Sequence, residues 1–221
     1  MNKEYDIGTG YCGDKIELFD AWWKNTNKYT CQGNTHNLNV VHVIATENPS
    51  VCLPTAIRWH SFDKNLGHVQ NMPEEQKHGG WWYGFMLGAL MAYHDGHDFI
   101  YKEQDCFAYG NWVDKMYSYD ANVVVGKFDH AYQIEQSLVL IKWARIPSFI
   151  AAYMSLEGAE SDATYRPELK FFEIMCDCND MVFMDMPFGR NRPVEVTTEP
   201  FFVQQIGPEV DQEIERILST L

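Results

Sequence analysis

Residues 80–105 read GWWYGFMLGALMAYHDGHDFIYKEQD, and this stretch decides the predicted fold. Apolar residues dominate from Gly80 to Tyr93, which predicts a helix shorter than the roughly 20 residues of a membrane span. After the turn His94–Asp98, Phe99–Lys102 reads as a buried strand, and the polar triplet Glu103-Gln104-Asp105 follows it directly. The stretch therefore predicts a helix, a strand and a polar strand end, as found in α/β folds.

The residues before this stretch extend the same pattern. A short extended run at Tyr5–Tyr11 precedes an amphipathic helix over Asp14–Asn25, and Leu38–Thr46 reads as a buried strand rich in β-branched residues. The region between Thr46 and the helix contains proline and glycine turns, so we interpret it as loops. Strands that alternate with helices in this way imply parallel pairing with right-handed crossovers.

The second half of the chain has a more mixed pattern. It predicts strands over residues 122–126, 137–142, 181–186 and 201–205, and helices over residues 146–156, 167–178 and 207–221. No internal repeat or obvious linker interrupts it. The sequence therefore predicts one α/β domain over residues 1–221, with a mixed, mainly parallel central sheet flanked by helices.

The composition argues against nucleic acid as a partner and indicates the cellular compartment. The chain has 221 residues, 31 acidic and 17 basic, and a formal net charge of −14, which argues against a protein that binds nucleic acid through phosphates. Its six cysteines are dispersed without a CxxC pair, so we expect reduced thiols. The first residues lack the apolar core of a signal peptide, and no apolar run is long enough to span a membrane. We therefore expect a cytoplasmic protein.

The segment Gly8-Thr-Gly-Tyr-Cys-Gly13 matches the GxGxxG pattern of dinucleotide-binding proteins, between a predicted strand and a predicted helix. The acidic residue after the second strand, Glu47, lies well beyond the usual spacing of ~20 residues, which weakens the match. Three interpretations stay open: an NAD(P) site, a plain strand-to-helix turn, and a nucleotide site at Thr9, Gly10 and Tyr11.

The triplet Glu103-Gln104-Asp105 is the sharper signal. Residues two apart in extended backbone point the same way, so both carboxylates are expected to face one point at the carboxyl end of their strand. Open α/β sheets place their ligands at that edge. Two carboxylates suit Mn²⁺ or Mg²⁺ bridging to a diphosphate, with an ordinary acidic turn as the alternative.

The stretch from His78 to Gly110 resembles the core of the GT-A-type nucleotide-sugar glycosyltransferases, whose Rossmann-like domain has a helix leading into a strand that ends in D-x-D. This sequence has E-x-D, and the resemblance extends over residues 4–110; some small viral and bacterial members have a similar size. It implies Mn²⁺- or Mg²⁺-dependent transfer from a nucleotide-sugar, with a UDP-sugar favoured, to a glycan or glycoconjugate hydroxyl. Residues 1–110 would bind the donor and metal, and residues 111–221 the acceptor.

The resemblance also implies roles for residues outside the triplet. Asn65, Gly67 and His68 would hold the donor by analogy, and Thr46 and Glu47 at the end of the second strand would face the base or ribose. Arg190 and Arg192, in a predicted turn at Pro187–Pro193, could bind phosphate oxygens bidentately. A surface turn that pairs with nearby acidic residues is the alternative. An inverting enzyme would also need a base, for which we expect the helix-start residue Glu168, with Asp162 and Glu160 as substitutes.

Two other functions stay open, an NAD(P)-dependent oxidoreductase built on Gly8–Gly13 and a non-catalytic carbohydrate-binding protein that uses exposed aromatic residues. Two further features have structural interpretations. Small residues at Gly80, Gly84, Gly88 and Ala92 give the helix a smooth face, which predicts close packing on the sheet. We interpret His94–Asp98 as a solvated turn at the amino edge, rather than as a metal site.

Overall fold

The computed structural model describes residues 3–11, 16–31, 34–45, 56–61, 79–127, 134–155, 172–174, 180–190, 200–204 and 209–219. The strands are β1 Glu4–Tyr11, β2 Asn37–Ala45, β3 Ile57–Ser61, β4 Asp98–Lys102, β5 Cys106–Tyr109, β6 Val123–Lys127, β7 Ile134–Ile141, β8 Met181–Phe183, β9 Phe188–Arg190 and β10 Phe201–Gln204. The helices are α1 Ile16–Cys31, α2 Gly79–Asp95, α3 Trp112–Tyr117, α4 Ile146–Ser155 and α5 Glu209–Ser219.

A seven-stranded sheet in the order β3-β2-β1-β4-β7-β6-β8 forms the centre of the protein. The first four strands in this order pair in parallel, whereas β7 runs antiparallel to both β4 and β6. A smaller sheet in the order β5-β10-β9 joins the two halves of the chain. The predicted α/β architecture with a mixed, mainly parallel sheet is confirmed.

The helices cover the two faces of the large sheet because each has an apolar face of its own. Leu18, Phe19 and Trp22 of α1 are buried against one face, and Phe85 and Ala89 of α2 are buried against the other. The two crossover helices therefore lie on opposite sides of the same parallel strands.

The predicted close packing of α2 on the sheet is confirmed at one crossing point. A Cβ atom built on Gly88 would lie 2.9 Å from Phe99 Cε2 and 3.4 Å from the Cα atom of Gly8. A Cβ atom on Gly8 would lie 2.6 Å from the same ring atom. Gly8 is thus used by helix packing, so this part of the GxGxxG pattern has a structural reason that needs no ligand.

Several short elements differ from the sequence prediction. β3 lies in the region interpreted as loops, β5 and α3 were missed, and β9 includes Arg190, which was placed in a turn. These elements have only three to six residues each, too few for a clear periodic pattern. β5 also pairs with β10, which lies in the other half of the chain. Most of the predicted helix over residues 167–178 lies outside the described residues, although residues 172–174 are helical.

The cysteine and membrane expectations can be compared with the described part of the chain. Cys31 is exposed and Cys106 is buried, and both carry free thiols. In these same ranges, no helix combines the length and the apolar character that a membrane crossing requires.

Candidate functional site

The carboxyl edge of the large sheet has a topological switch point between β1 and β4. From β1 the chain crosses through α1 to β2 on one side, whereas β4 pairs with β1 on the other side. Gly8 pairs with Tyr101 in the parallel register, so Gly10 and Glu103, each two residues further on, lie at the same edge. Ligands of open α/β sheets bind in the crevice at such a point.

Glu103 and Asp105 lie on a tight turn directly after β4. The backbone nitrogen of Cys106 donates to the carbonyl oxygen of Glu103 at 3.0 Å, and the backbone nitrogen of Glu103 donates to the Ser137 carbonyl oxygen at 2.9 Å. The strand ends at Lys102, so the expectation of extended backbone through the triplet was wrong. The turn reverses the chain into β5 and keeps both acidic residues at the switch point.

Gln204, at the end of β10, orients the Glu103 side chain. Its amide nitrogen Nε2 donates to Glu103 Oε2 at 2.7 Å, and its backbone is paired with that of Cys106. No sequence motif indicates a role for this residue. Its only signal in the sequence is its place near the end of the predicted strand over residues 201–205. Nothing in the sequence indicates that this strand reaches the acidic turn.

Helix α1 anchors the strands on both sides of the turn. The buried Lys102 side chain donates from Nζ to Thr26 Oγ1 at 2.8 Å and to Asn25 Oδ1 at 3.2 Å, and lies 4.7 Å from the centroid of the Trp22 ring. Asn25 Oδ1 also accepts from the backbone nitrogen of Ala108 in β5 at 3.1 Å. Burial lowers the pKa of Lys102 to about 7, so its charge is weakly held at neutral pH.

Acidic side chains concentrate negative charge around the turn. Burial is the main cause of the raised pKa of the Cys106 thiol. The Lys102 ammonium opposes this rise, and the carboxylates of Asp105, Glu135 and Glu103 add to it. Burial and the carboxylates of Glu103 and Asp105 also raise the pKa of Tyr101. A divalent cation beside the turn would offset this local charge, so the residues present fit Mn²⁺ or Mg²⁺. Glu135, on β7, is a second acidic residue near the turn that no sequence motif indicates.

The end of β1 offers open backbone beside this turn. Apart from Gly10 and its two chain neighbours, no described atom lies within 4 Å of the position that a Cβ atom of Gly10 would take. Thr9 is buried, and its hydroxyl donates to the Gly10 carbonyl oxygen at 3.3 Å. The Tyr11 ring packs in the core, with ring centroids 5.4 Å from Phe19 and 5.2 Å from Trp59. The structure therefore brings Gly10 and the turn together, while it places the Tyr11 ring against α1 and β3.

Arg190 lies on β9 of the small sheet. Its backbone pairs with Gln204, which pairs in turn with Cys106 at the end of the acidic turn. The other sequence-predicted site residues lie outside the described residues: Thr46, Glu47, Asn65, Gly67, His68, Glu160, Asp162, Glu168 and Arg192.

The turn after α2 lies at the opposite, amino edge of the sheet, as predicted. Its expected solvation is wrong for Asp98 and only partial for His97 and for Asp95, whose side chain is 19% exposed. The His94 side chain is 85% exposed, but that of His97 is only 16% exposed, and Asp98 is buried. The Asp98 carboxylate accepts from the Tyr117 hydroxyl at 2.9 Å and from the Trp143 backbone nitrogen at 2.7 Å.

Comparison with known proteins identifies the fold. No protein-family model and no curated protein matches the chain. Among solved structures it is similar to an active-site mutant of LgtC, at 10% identity and a TM-score of 0.67, with 98% of this chain and 96% of that chain covered. It is also similar to the galactosyltransferase LgtC in complex with donor and acceptor sugar analogues, at 10% identity and a TM-score of 0.62, covering 97% and 95%.

A third similar structure is a glycosyltransferase involved in glycosylation of the major capsid of PBCV-1. It shares 8% identity with this chain at a TM-score of 0.57, and the match covers 98% of this chain and 99% of that one. These likenesses extend over nearly the whole of each chain. The protein therefore has the GT-A glycosyltransferase fold, which the sequence motif predicts.

Proposed function

We propose that this protein is a metal-dependent glycosyltransferase that moves a sugar from a nucleotide diphosphate sugar to an acceptor hydroxyl. The observation that carries the proposal is the position of the Glu103–Asp105 turn. It lies at the switch point of a GT-A fold, beside the open backbone of Gly10. A diphosphate that bridged these two features would lie where open α/β sheets bind nucleotides.

Asp105 and Glu103 would hold the Mn²⁺ or Mg²⁺ ion, with Gln104 beside them on the donor. When bound, the ion supplies Lewis-acid stabilisation of the negative charge that develops on the leaving diphosphate. The hydrogen bond from Gln204 supports this role, because an outer residue that fixes a ligating carboxylate strengthens metal binding. Carboxylate oxygens alone make a hard donor set, which favours Mn²⁺ or Mg²⁺ over thiophilic metals.

The remaining donor contacts are proposed from the sequence. The nucleoside would lie over the backbone of Thr9, Gly10 and Tyr11, with Thr46 and Glu47 toward the base or ribose. Asn65, Gly67 and His68 would contact the donor from the following segment. A UDP-sugar is the favoured donor, and a glycan or glycoconjugate the favoured acceptor. The complex of LgtC with donor and acceptor sugar analogues supports two sugar sites on this fold.

Positive charge for the diphosphate or for an anionic acceptor would come from Arg190 and Arg192. The register that connects Arg190 through Gln204 to Cys106 supports this role, because it brings β9 to the same small sheet as the acidic turn. Guanidinium groups bind phosphate oxygens bidentately, and arginine keeps its charge at every physiological pH.

The acceptor would approach from residues 111–221. If the reaction inverts the anomeric centre, Glu168 would take the proton of the acceptor hydroxyl, with Asp162 as the substitute. A retaining reaction would not need this base. The stereochemistry of the product, determined by NMR on a fresh reaction mixture, separates the two courses.

Turnover of a nucleotide-sugar panel tests the proposal. Purified protein is incubated with UDP-, GDP- and ADP-sugars, with Mn²⁺ or with a chelator, and nucleotide release is measured. We expect release from one donor class with Mn²⁺ and none with the chelator. Binding of NADH without any nucleotide-sugar would instead favour the oxidoreductase, and metal-independent glycan binding without turnover would favour the carbohydrate-binding protein.

A further inference from the structure

A second group of metal-ligating side chains lies at the amino edge of the sheet. Asp6 of β1, Asp95 at the end of α2 and His97 before β4 each offer one ligand atom, and these atoms all lie within 4.8 Å of one another. Asp6 is four residues before Gly10, so the group lies about 13 Å along β1 from the proposed donor site. It is therefore separate from the acidic turn.

Both ring nitrogens of His97 face carboxylates. Nε2 lies 3.0 Å from Glu4 Oε2, so in the neutral ring we assign the proton to this nitrogen. Nδ1 then carries a lone pair, and it lies 3.2 Å from Asp6 Oδ1. Asn39 Nδ2 donates to Asp6 Oδ1 at 2.9 Å and lies 3.1 Å from His97 Nδ1, so its amide N–H groups serve both acceptors from one side. Nδ1 and Oδ1 are two acceptors at a separation that a cation, either a proton or a metal ion, can bridge.

The buried Asp6 carboxylate is also fixed from behind. Its Oδ2 lies 3.1 Å from His42 Nε2, and His42 Nδ1 lies 3.1 Å from His60 Nε2, so a chain of imidazole rings across β2 and β3 holds it. Asp95 is held by Arg58 Nη1 at 2.8 Å from Oδ2. Metal ligands in proteins have such outer contacts, including a carboxylate that accepts from the second nitrogen of a ligating histidine.

We propose that Asp6, Asp95 and His97 form a binding site for a divalent first-row transition metal ion such as Zn²⁺. One imidazole nitrogen and two carboxylate oxygens match the ligands that Zn²⁺ uses. Neighbouring ligand atoms in a tetrahedral zinc site lie about 3.3 Å apart, close to the 3.2 Å between His97 Nδ1 and Asp6 Oδ1. The Asp95 and His97 side chains are 19% and 16% exposed, which leaves access for the ion and a water ligand.

The ion would connect β1, the end of α2 and the start of β4, so its binding is expected to stabilise the fold. It would not take part in sugar transfer, because it lies at the opposite edge from the proposed donor. Binding to the folded chain alone raises the free energy of unfolding in proportion to the logarithm of the free metal concentration. Metal binding and thermal stability are therefore both readouts of this site.

Cobalt titration of the full chain tests the proposal. The background is Asp105→Asn, which removes the central ligand of the proposed donor-site metal, and Co²⁺ replaces Zn²⁺ because its visible absorption reports ligand geometry. We expect one bound Co²⁺ per chain and a visible absorption band typical of low-symmetry coordination. Zn²⁺ should displace the Co²⁺ and abolish this band, and either ion should raise the Tm. His97→Ala should weaken binding by at least about a hundredfold, since it removes a direct ligand.

Glu17→Gln is the control, because Glu17 is exposed at the start of α1, at the opposite edge of the sheet. It should bind Co²⁺ as the background protein does. If His97→Ala does not fold, Glu4→Gln provides the second variant: loss of the carboxylate behind His97 should weaken binding about tenfold. Absence of Co²⁺ binding to the folded background protein would overturn the proposal, as would unchanged affinity in the folded His97→Ala or Glu4→Gln protein.

Discussion

Gln204 Nε2 donates a hydrogen bond to Glu103 Oε2 over 2.7 Å, and this bond joins β10 to the acidic turn after β4. The two residues come from opposite halves of the chain, so the second half contributes directly to the site that the first half builds. The backbone pairing of Gln204 with Cys106 fixes the position of the donor relative to the turn. The Glu103 carboxylate is therefore oriented before any ligand arrives.

Loss of this hydrogen bond should weaken metal-dependent donor binding without unfolding the protein. For Gln204→Leu we expect about a tenfold rise in the Kd of UDP in the presence of Mn²⁺, because Glu103 loses the contact that orients it. Isothermal titration calorimetry measures the Kd. Gln212→Leu, on an exposed position of α5, is the matched control. Equal affinity in both variants would show that Gln204 has no role in the site.

Asp105 is the residue on which metal-dependent activity should depend most. We expect Asp105→Asn to lower nucleotide-sugar turnover at least a hundredfold, because the amide keeps the shape of the side chain but removes the charge that holds a hard cation. Far-UV circular dichroism and the Tm should stay close to those of the wild type. Asp120→Asn, at an exposed position, should retain full turnover. Full turnover in Asp105→Asn would show that the metal needed for activity does not bind at this turn.

The proposed base can be tested by separating chemistry from donor binding. If Glu168 takes the acceptor proton, Glu168→Gln should lower kcat by orders of magnitude while the Kd of the donor stays near that of the wild type. Single-turnover kinetics with saturating acceptor measures the chemical step. Normal kcat in Glu168→Gln, together with a lowered kcat in Asp162→Asn, would identify Asp162 as the base. Normal kcat in both would favour a retaining reaction.

Substitution of Gly88 should show how closely α2 packs on the sheet. In Gly88→Ala the new methyl group would meet the Phe99 ring at 2.9 Å, and we expect a loss of about 1–3 kcal/mol in the free energy of unfolding. Gly84→Ala is the control on the same helix, because its Cβ would have only an ordinary 3.9 Å contact with Ile44. That variant should gain up to about 1 kcal/mol from helix propensity. Urea denaturation distinguishes the two, and similar values would argue against the close crossing.

Lys102 should make stability depend on pH in a defined direction. Burial lowers its pKa from 10.5 to about 7, so between these values the unfolded chain binds a proton that the folded chain lacks. This residue's contribution to the free energy of unfolding therefore rises from about pH 7 to about pH 10, by at most about 1.4 kcal/mol per pH unit. We therefore compare the free energies of unfolding of Lys102→Met and the wild type. The value for the variant minus that for the wild type should be highest near pH 7 and should fall as the pH rises.

Urea unfolding at several values between pH 6 and pH 9 measures this difference. Lys24→Met is the matched control on the same helix as Asn25, because its ammonium is partly exposed and paired with Asp20 at 2.9 Å. A stability difference between Lys102→Met and wild type that stays constant over the whole range would contradict the lowered pKa.

The central part of the fold could be predicted because β2 is rich in β-branched residues and β4 contains the apolar run Phe99–Tyr101. β1, β2 and β4 have bounds close to the predicted ones, and the position of the acidic triplet after β4 follows from that. β3, with the sequence IRWHS, has no such pattern, and it forms because β2 offers a parallel edge. A short polar strand of this kind depends on its partner, which local sequence does not reveal.

The side-chain environment of the site could not be predicted in the same way. The contact between Gln204 and Glu103 depends on the pairing of β10 with β5, two strands from different halves of the chain. The group of Asp6, Asp95 and His97 depends likewise on β1 pairing with β4, which brings the end of α2 beside β1. Residue patterns identify strands, but they do not specify which strand ends meet.

Anomalous diffraction at the manganese edge, from crystals grown with Mn²⁺ and UDP, is the most direct test of the proposed function. We predict an anomalous peak in contact with the Asp105 carboxylate, bridged to the diphosphate of UDP, with the uridine over the end of β1. A UDP molecule bound elsewhere on the protein, or bound at the switch point with no manganese beside Asp105, would contradict the account.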